Sequence, residues 1–301
     1  SLKESTAIGY GYSISAFIQF CDYADIPFEK RFPSAPTVID SYLASLVGSI
    51  GKEAAGKRIT ALATWHELHR VPFPRALKGF GELTGVRTLP PRPPVEIFHL
   101  ESFRNGLDLN KPLDAACWAC AVISFYGMMR IGEATNKLVN GFDPKYHVGG
   151  LSWNVLTTPG IPSYIVLNLP YDKVSKSKGA KVFVAEQGEF SCPFLALLNH
   201  VKVNGQSSSR GLFSYRISPH SASYIELTRT TFLKRFNDIL IAYGQPSISG
   251  HSFRIGGATF YLRARKPVQV VQKAGRWKSP KSFELYWRQE GDIVAQWLAK
   301  S

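Results

Sequence analysis

The sequence is short of acidic residues. Its 22 Asp and Glu stand against 36 Lys and Arg, leaving a formal net charge of +14. That imbalance argues for an anionic partner: nucleic acid, an acidic membrane surface or an acidic protein. Cysteine is scarce as well. Cys21, Cys117, Cys120 and Cys192 are too few and too scattered for a disulfide framework, which fits a reducing intracellular compartment. Long hydrophobic runs are missing. The longest, "AACWACAVISFYGMM" at residues 115–129, is short for a membrane span and abuts an arginine. The sequence opens without a secretory signal, so the expectation is a soluble nuclear or cytosolic protein with no membrane role. No "GxxxxGK[ST]" loop occurs, and ATP is not implied.

Metal chemistry finds little footing. Cys117 and Cys120 form one CxxC with no second Cys or His pair at zinc spacing, inside an apolar helix-like run where buried cysteine is common. His66 and His69 in "WHELHR" could share a helix face, but no third ligand is evident. No cofactor and no metal are expected.

What is present is unevenly distributed. Of the basic residues, 27 fall after residue 86, with only 14 acidic ones, so the first 86 residues are nearly neutral and the electrostatic footprint lies beyond them. Residues 6–85 read as several short helices, with apolar residues recurring at three and four and Pro or Gly at the breaks. The segment 87–94, within "RTLPPRPPVE", predicts a stiff extended linker; a proline-rich ligand for another domain is the rival reading. From residue 95 to 301 helices dominate again. The exception is a pair of β-rich runs, "YIVLNLP" and "KVFVAE", separated by the lysine-rich "YDKVSKSKGA" in a hairpin-like arrangement. The fold class expected is mainly α with a small β-hairpin or sheet.

Four places put basic chemistry at structural corners. In "FYGMMRIGEATNKL", Gly127 ends an apolar helix while Arg130 and Glu133 sit at the turn into the next. Lys173 lies in the hairpin. In "GHSFRIGG", His251 and Arg254 stand three apart near a helix start, where free backbone N–H groups and a planar guanidinium fork both suit phosphate oxygens. In "AGRWKSPKSFELYW", Trp277 precedes Tyr286 by nine residues, and Ser279 and Pro280 predict a cap and first turn of a short helix. Taken singly, each has a bland reading as a solvated pair, an exposed lysine or a core aromatic.

Their joint order resembles the tyrosine recombinase (phage integrase) superfamily, and the "GHSFRIGG" to "GRW" to "YWR" series looks most like fungal Crypton-type transposon recombinases. The resemblance covers the whole chain. It implies a helical core-binding domain over 1–86, the linker over 87–94, and an α+β catalytic domain over 95–301 ending in a C-terminal helix. It further implies that Arg130, Lys173, His251, Arg254, Trp277 and Tyr286 are catalytic, with Glu133 as structural support.

The chemistry suits those residue types. Moving a phosphodiester from a 5′-oxygen to a tyrosine needs charge stabilisation on the nonbridging oxygens and a proton for the leaving group. Arg130 and Arg254 supply permanent charge, Trp277 an indole N–H donor, His251 a group titrating near neutrality, Lys173 the proton and Tyr286 the nucleophile. Lys176 and Lys178 share the loop and compete with Lys173 for the acid role.

The partners implied are double-stranded DNA and further copies of the chain, a dimer on a site and a tetramer in the synapse, in the nucleus. The apolar stripe Ile293, Val294, Trp297 and Leu298 is either folded onto its own domain or docked in a neighbour, and the resemblance favours the neighbour. Supercoil relaxation of the topoisomerase IB kind and noncatalytic DNA binding are the rival functions.

Overall fold

The computed structural model describes residues 4–74, 92–171, 178–188, 190–284 and 290–298. The chain divides into two compact units, Ser1–Pro91 and Arg92–Ser301, a boundary inside the segment read as the linker.

The first unit carries helices α1 (Glu4–Tyr23), α2 (Phe28–Arg31), α3 (Pro36–Leu46) and α4 (Lys52–Leu68). Pro36 opens α3, where a missing N–H is harmless and the fixed φ suits the first turn. Phe17 and Cys21 of α1, Ile39, Tyr42 and Leu43 of α3, and Leu62 of α4 pack as one apolar core. His66 is buried in it. Ser34 N–H donates to its Nε2 at 2.9 Å and its Nδ1–H donates to the Leu62 carbonyl at 2.8 Å. Both ring nitrogens therefore serve the backbone, and burial lowers the pKa of the imidazole. His66 offers no lone pair to a metal shared with His69. The helix expected over "FPRALKGFGELTG" falls mostly outside the described residues.

The second unit is built around one largely buried helix. Helices α5 (Ile97–Asn105), α6 (Pro112–Tyr126) and α7 (Ile131–Ala134) precede an antiparallel sheet of β1 (Trp153–Thr158), β2 (Ile161–Leu169) and β3 (Ala180–Ala185), ordered β1-β2-β3. Then come α8 (Pro193–Asn204), the small ribbon β4 (Tyr215–Arg216) and β5 (Tyr224–Ile225), α9 (Arg229–Ala242), α10 (Ser252–Arg263), α11 (Val268–Ala274), α12 (Pro280–Glu284) and α13 (Glu290–Leu298). Every residue of α6 from Asp114 to Tyr126 is buried, which is why its sequence lacks a polar face. Its one carboxylate, Asp114, takes two hydrogen bonds from Arg235 of α9 at 2.8 and 2.9 Å. Cys117 and Cys120 are core residues. Burial pushes both thiols up, Cys120 to about 12, which disfavours the thiolate a metal needs.

Two of the three strands match the expected β-rich runs. β1 was not singled out, because it is largely exposed and shows no inside-outside alternation. It joins β2 through a turn at Gly160, φ +78°, where a side chain would be strained. The core face of the sheet is Ile165, Leu167, Val182 and Val184. Among the described residues no helix is long and apolar enough to cross a membrane.

Candidate active site

The Gly-Gly pair of "GHSFRIGG" fixes the geometry. A Cβ on Gly256 would lie 2.1 Å from the Val95 carbonyl oxygen, and one on Gly257 would lie 2.0 Å from the Phe125 carbonyl oxygen. Only hydrogen at these positions lets α10 lie against the end of α6 and the Val95 segment, whose N–H donates to Ser252 O at 2.9 Å. The first turn of α10, with His251 at its N-cap position, thereby meets the C-terminal end of α6.

At that end the chain reverses. Gly127 closes α6, Met128 adopts a left-handed φ of +47°, and Arg130 leaves extended into the four-residue α7. The reversal aims the Met128 carbonyl at Arg254, which donates Nη1–H to it at 2.6 Å. Arg254 is fully buried, an expensive place for a guanidinium unless acceptors and π-faces surround it. The Trp277 ring supplies one such face, 4.0 Å from Arg254 Cζ.

Glu133 organises the opposite side. Its Oε2 accepts the Arg130 backbone N–H at 3.0 Å and its Oε1 accepts Arg130 Nη1–H at 2.6 Å. Oε2 also accepts from Arg276 Nη2 at 2.6 Å. Arg276 immediately precedes Trp277, whose backbone N–H donates to Gln272 O at 3.1 Å. The indole lies over Gly275, where a Cβ would come within 1.7 Å of it, and meets the Phe283 ring at 4.9 Å. Ser279 Oγ accepts the Ser282 N–H at 3.2 Å, capping α12 as its sequence predicts.

Arg130, Glu133, Arg254 and Trp277 are thus gathered where α6, α7, α10 and α11 end or begin, and half-buried His251 heads the same helix three residues before Arg254. Among the described residues, three guanidinium groups meet one carboxylate here, an arrangement that favours an anion. Lys173, Lys176 and Tyr286 lie outside the described residues. Lys178 is exposed in the turn before β3, and α12 is described to Glu284.

Sequence reasoning did not single out Arg276, although it stands inside the quoted "AGRW". It also passed over Glu226, which is buried in a loop. Glu226 Oε2 accepts from Asn136 Nδ2 at 2.7 Å, Ser214 Oγ at 2.7 Å and Gly211 N at 3.1 Å, tying the strand-like stretch after α7 to the start of α9. Burial raises its pKa.

No family model matches the sequence, and no curated protein matches it. Solved structures do. The Tn1549 transposon integrase in complex with transposon right end DNA superposes with a TM-score of 0.59 at 14% identity, covering 100% of this chain and 95% of that one. A lambda integrase dimer bound to a COC′ core site gives 0.59 at 14%, covering 97% and 91%. The XerH site-specific recombinase bound to its difH substrate gives 0.55 at 15%, covering 88% and 70%. Mainly helical, with one small antiparallel sheet set among its second-unit helices, the chain has the tyrosine recombinase fold.

Proposed function

We propose that this protein is a site-specific DNA recombinase that cuts and rejoins strands through a 3′-phosphotyrosine. The observation that carries the reading is the convergence of Arg130, Glu133, Arg254 and Trp277 at one corner of a strongly basic unit. The neighbours of that fold bind DNA: the integrases and XerH are described on core-site, transposon-end and difH substrates.

The steps follow from the side chains. The Tyr286 oxygen attacks phosphorus as its proton passes to His251. The P–O5′ bond breaks, and the 5′-oxygen takes a proton from the lysine of the β2–β3 connection, assigned to Lys173 over Lys176 and Lys178. Arg130, Arg254 and the Trp277 indole N–H stabilise the charge that builds on the nonbridging oxygens. A 5′-hydroxyl from a second strand then attacks the phosphotyrosine and gives its proton to the lysine, the P–O bond to Tyr286 breaks as the tyrosine oxygen takes its proton back from His251, and the backbone is resealed. The linkage conserves bond energy, so no nucleotide is consumed.

On the finer points, the motif series supports a transposon enzyme of the Crypton type acting in the nucleus. Copies of the chain assemble in pairs on a site and as four in the synapse, joined through the C-terminal helix. The test is capture of adduct on a pool of nicked duplexes with a randomised centre. Tyr286→Phe should bind the selected duplex and form no adduct. Adduct in that variant moves the nucleophile elsewhere, and none with the wild-type chain overturns the reading.

A further inference from the structure

We infer that Arg276 is a positioning residue of the site, holding the Trp277 corner against the Arg130 corner through Glu133. The inference rests on the recombinase reading above and adds to it a residue that touches no substrate.

Arg276 has φ +63°. An L-residue enters that region at a cost, and glycine is its ordinary occupant. Here Arg276 is the left-handed residue that ends α11: its backbone N–H donates to Lys273 O at 3.0 Å and the Trp277 backbone N–H to Gln272 O at 3.1 Å, and this helix-end turn holds the φ. The side chain is in turn held by the ion pair with Glu133 at 2.6 Å, with both side chains about nine-tenths buried. At that depth the two charges are poorly screened and already stripped of water, so the geometry that pairs them is costly to change.

Its position in the chain gives the pair its consequence. Arg276 lies between Gly275, on which the indole rests, and Trp277 itself. Glu133 lies three residues after Arg130 and holds both its backbone N–H and its guanidinium. The path from Arg130 through Glu133, Arg276 and Trp277 to Arg254 is therefore continuous in hydrogen bond, ion pair, peptide bond and stack. Its ends are the two guanidiniums assigned to phosphate. Glu133 and Arg276, its two internal charged groups, are assigned to none.

Arg276 also adds charge. Among the described residues one carboxylate is shared between two guanidiniums here, and without Arg276 that carboxylate would offset Arg130 alone and weaken the field on phosphate.

The experiment compares wild type, Arg276→Gly, Arg276→Lys and Arg276→Gly combined with Glu133→Gln on the adduct-forming duplex. It reads single-turnover cleavage at saturating DNA, the dissociation constant and the thermal midpoint. Glycine suits the φ of +63° and Glu133 keeps Arg130 as its partner, so the fold of Arg276→Gly should persist and its DNA affinity should stay within about twofold. Cleavage should slow by at least about tenfold. Arg276→Lys, which keeps the charge, should regain part of that rate, and the double variant should be no slower than Arg276→Gly. Wild-type cleavage by Arg276→Gly overturns the inference. So does a rate loss matched by a fallen midpoint, or a Lys variant as slow as the Gly one. Absence of adduct with the wild-type chain removes the recombinase reading and this inference together. Adduct with wild type and an unaffected Arg276→Gly removes this inference alone.

Discussion

The guanidinium of Arg254 lies over the Trp277 indole, its Cζ 4.0 Å from the ring centroid, while Arg254 Nη1 donates to the Met128 carbonyl at 2.6 Å. The two residues are 23 positions apart in sequence and belong to different helical corners. Each defines the other's place: the ring roofs the buried cation, and the cation fills the hollow beneath the ring.

Arg254→Lys should therefore fail as a replacement. An ammonium neither stacks as a plane nor offers two parallel donors. Cleavage is expected to fall by about a hundredfold or more, in line with loss of one charge-stabilising donor, and Arg254→Ala should fall at least as far. Single-turnover adduct formation measures both, and near wild-type rates in Arg254→Lys would show that only the charge matters.

Gly256→Ala and Gly257→Ala should each destabilise the second unit. The added methyl meets a backbone carbonyl oxygen, at 2.1 and 2.0 Å respectively, and a backbone cannot swing aside as a side chain would. The expected loss is about 1–3 kcal/mol, as for other overpacked cores, although Ala is the better helix former by about 1 kcal/mol. Gly132→Ala in α7 is the control, because nothing lies within 4 Å of its Cβ. Urea denaturation reads all three, and stabilisation by Ala at 256 or 257 would show that α10 does not depend on this approach.

These glycines show how far the sequence could be read. "HSFRIGG" exposed the spacing of His251 and Arg254, and the apolar run 115–129 exposed the buried helix, because both signals are local in the chain. What the glycines are for was not legible, since it depends on where Val95 and Phe125 lie in space. The same holds for Arg276: its type is visible beside Trp277, but φ +63° and its partner Glu133, 143 residues away, are facts of tertiary packing. β1 escaped notice because an exposed edge strand carries no alternation. Glu226 escaped because a buried carboxylate in a loop has no periodic signature.

Acid should weaken the fold through its buried histidines. His200 donates Nε2–H to the Leu212 carbonyl at 2.9 Å and accepts from Asn204 Nδ2 at 3.1 Å, so a second ring proton would face another donor. Burial lowers its pKa from 6.5 to about 4. The unfolded chain therefore binds a proton that the folded chain refuses. Stability is full above about pH 6.5 and falls as pH drops toward 4, with about 2 kcal/mol lost by pH 5 from His200 alone. His66, His99 and His147 shift the same way. Denaturation of the whole chain at neutral pH and at pH 5 tests this, and equal stability at both would contradict the buried neutral rings.

The general acid can be assigned chemically. If Lys173 protonates the leaving 5′-oxygen, Lys173→Ala should cleave ordinary DNA poorly and a 5′-bridging phosphorothiolate well, since sulfur departs without a proton. Lys176→Ala and Lys178→Ala should show no such rescue. Rescue of either in place of Lys173→Ala reassigns the acid within the same connection, and no rescue in any of the three leaves the loop a positioning role.

The C-terminal helix should divide its work between two faces. Ile293 is fully buried in its own unit, in one cluster with Met128, Leu262, Val271, Trp277 and Phe283, whereas Leu298 is 79% exposed. One turn of α13 thus joins the apolar cluster that also holds the indole of the site, and the next presents an apolar side chain to solvent, where a neighbouring copy could cover it. Ile293→Ala should cost about 2–4 kcal/mol and slow cleavage with it, because the cavity opens in the cluster that holds Trp277. Leu298→Ala should change stability by less than about 0.5 kcal/mol and leave binding of the first protomer intact, while binding of a second copy beside it loses cooperativity. Gel-shift titration on one-site and two-site duplexes separates the two effects. If Leu298→Ala pairs on DNA as the wild type does, α13 serves its own protomer alone, and the contact between copies must be sought on another face.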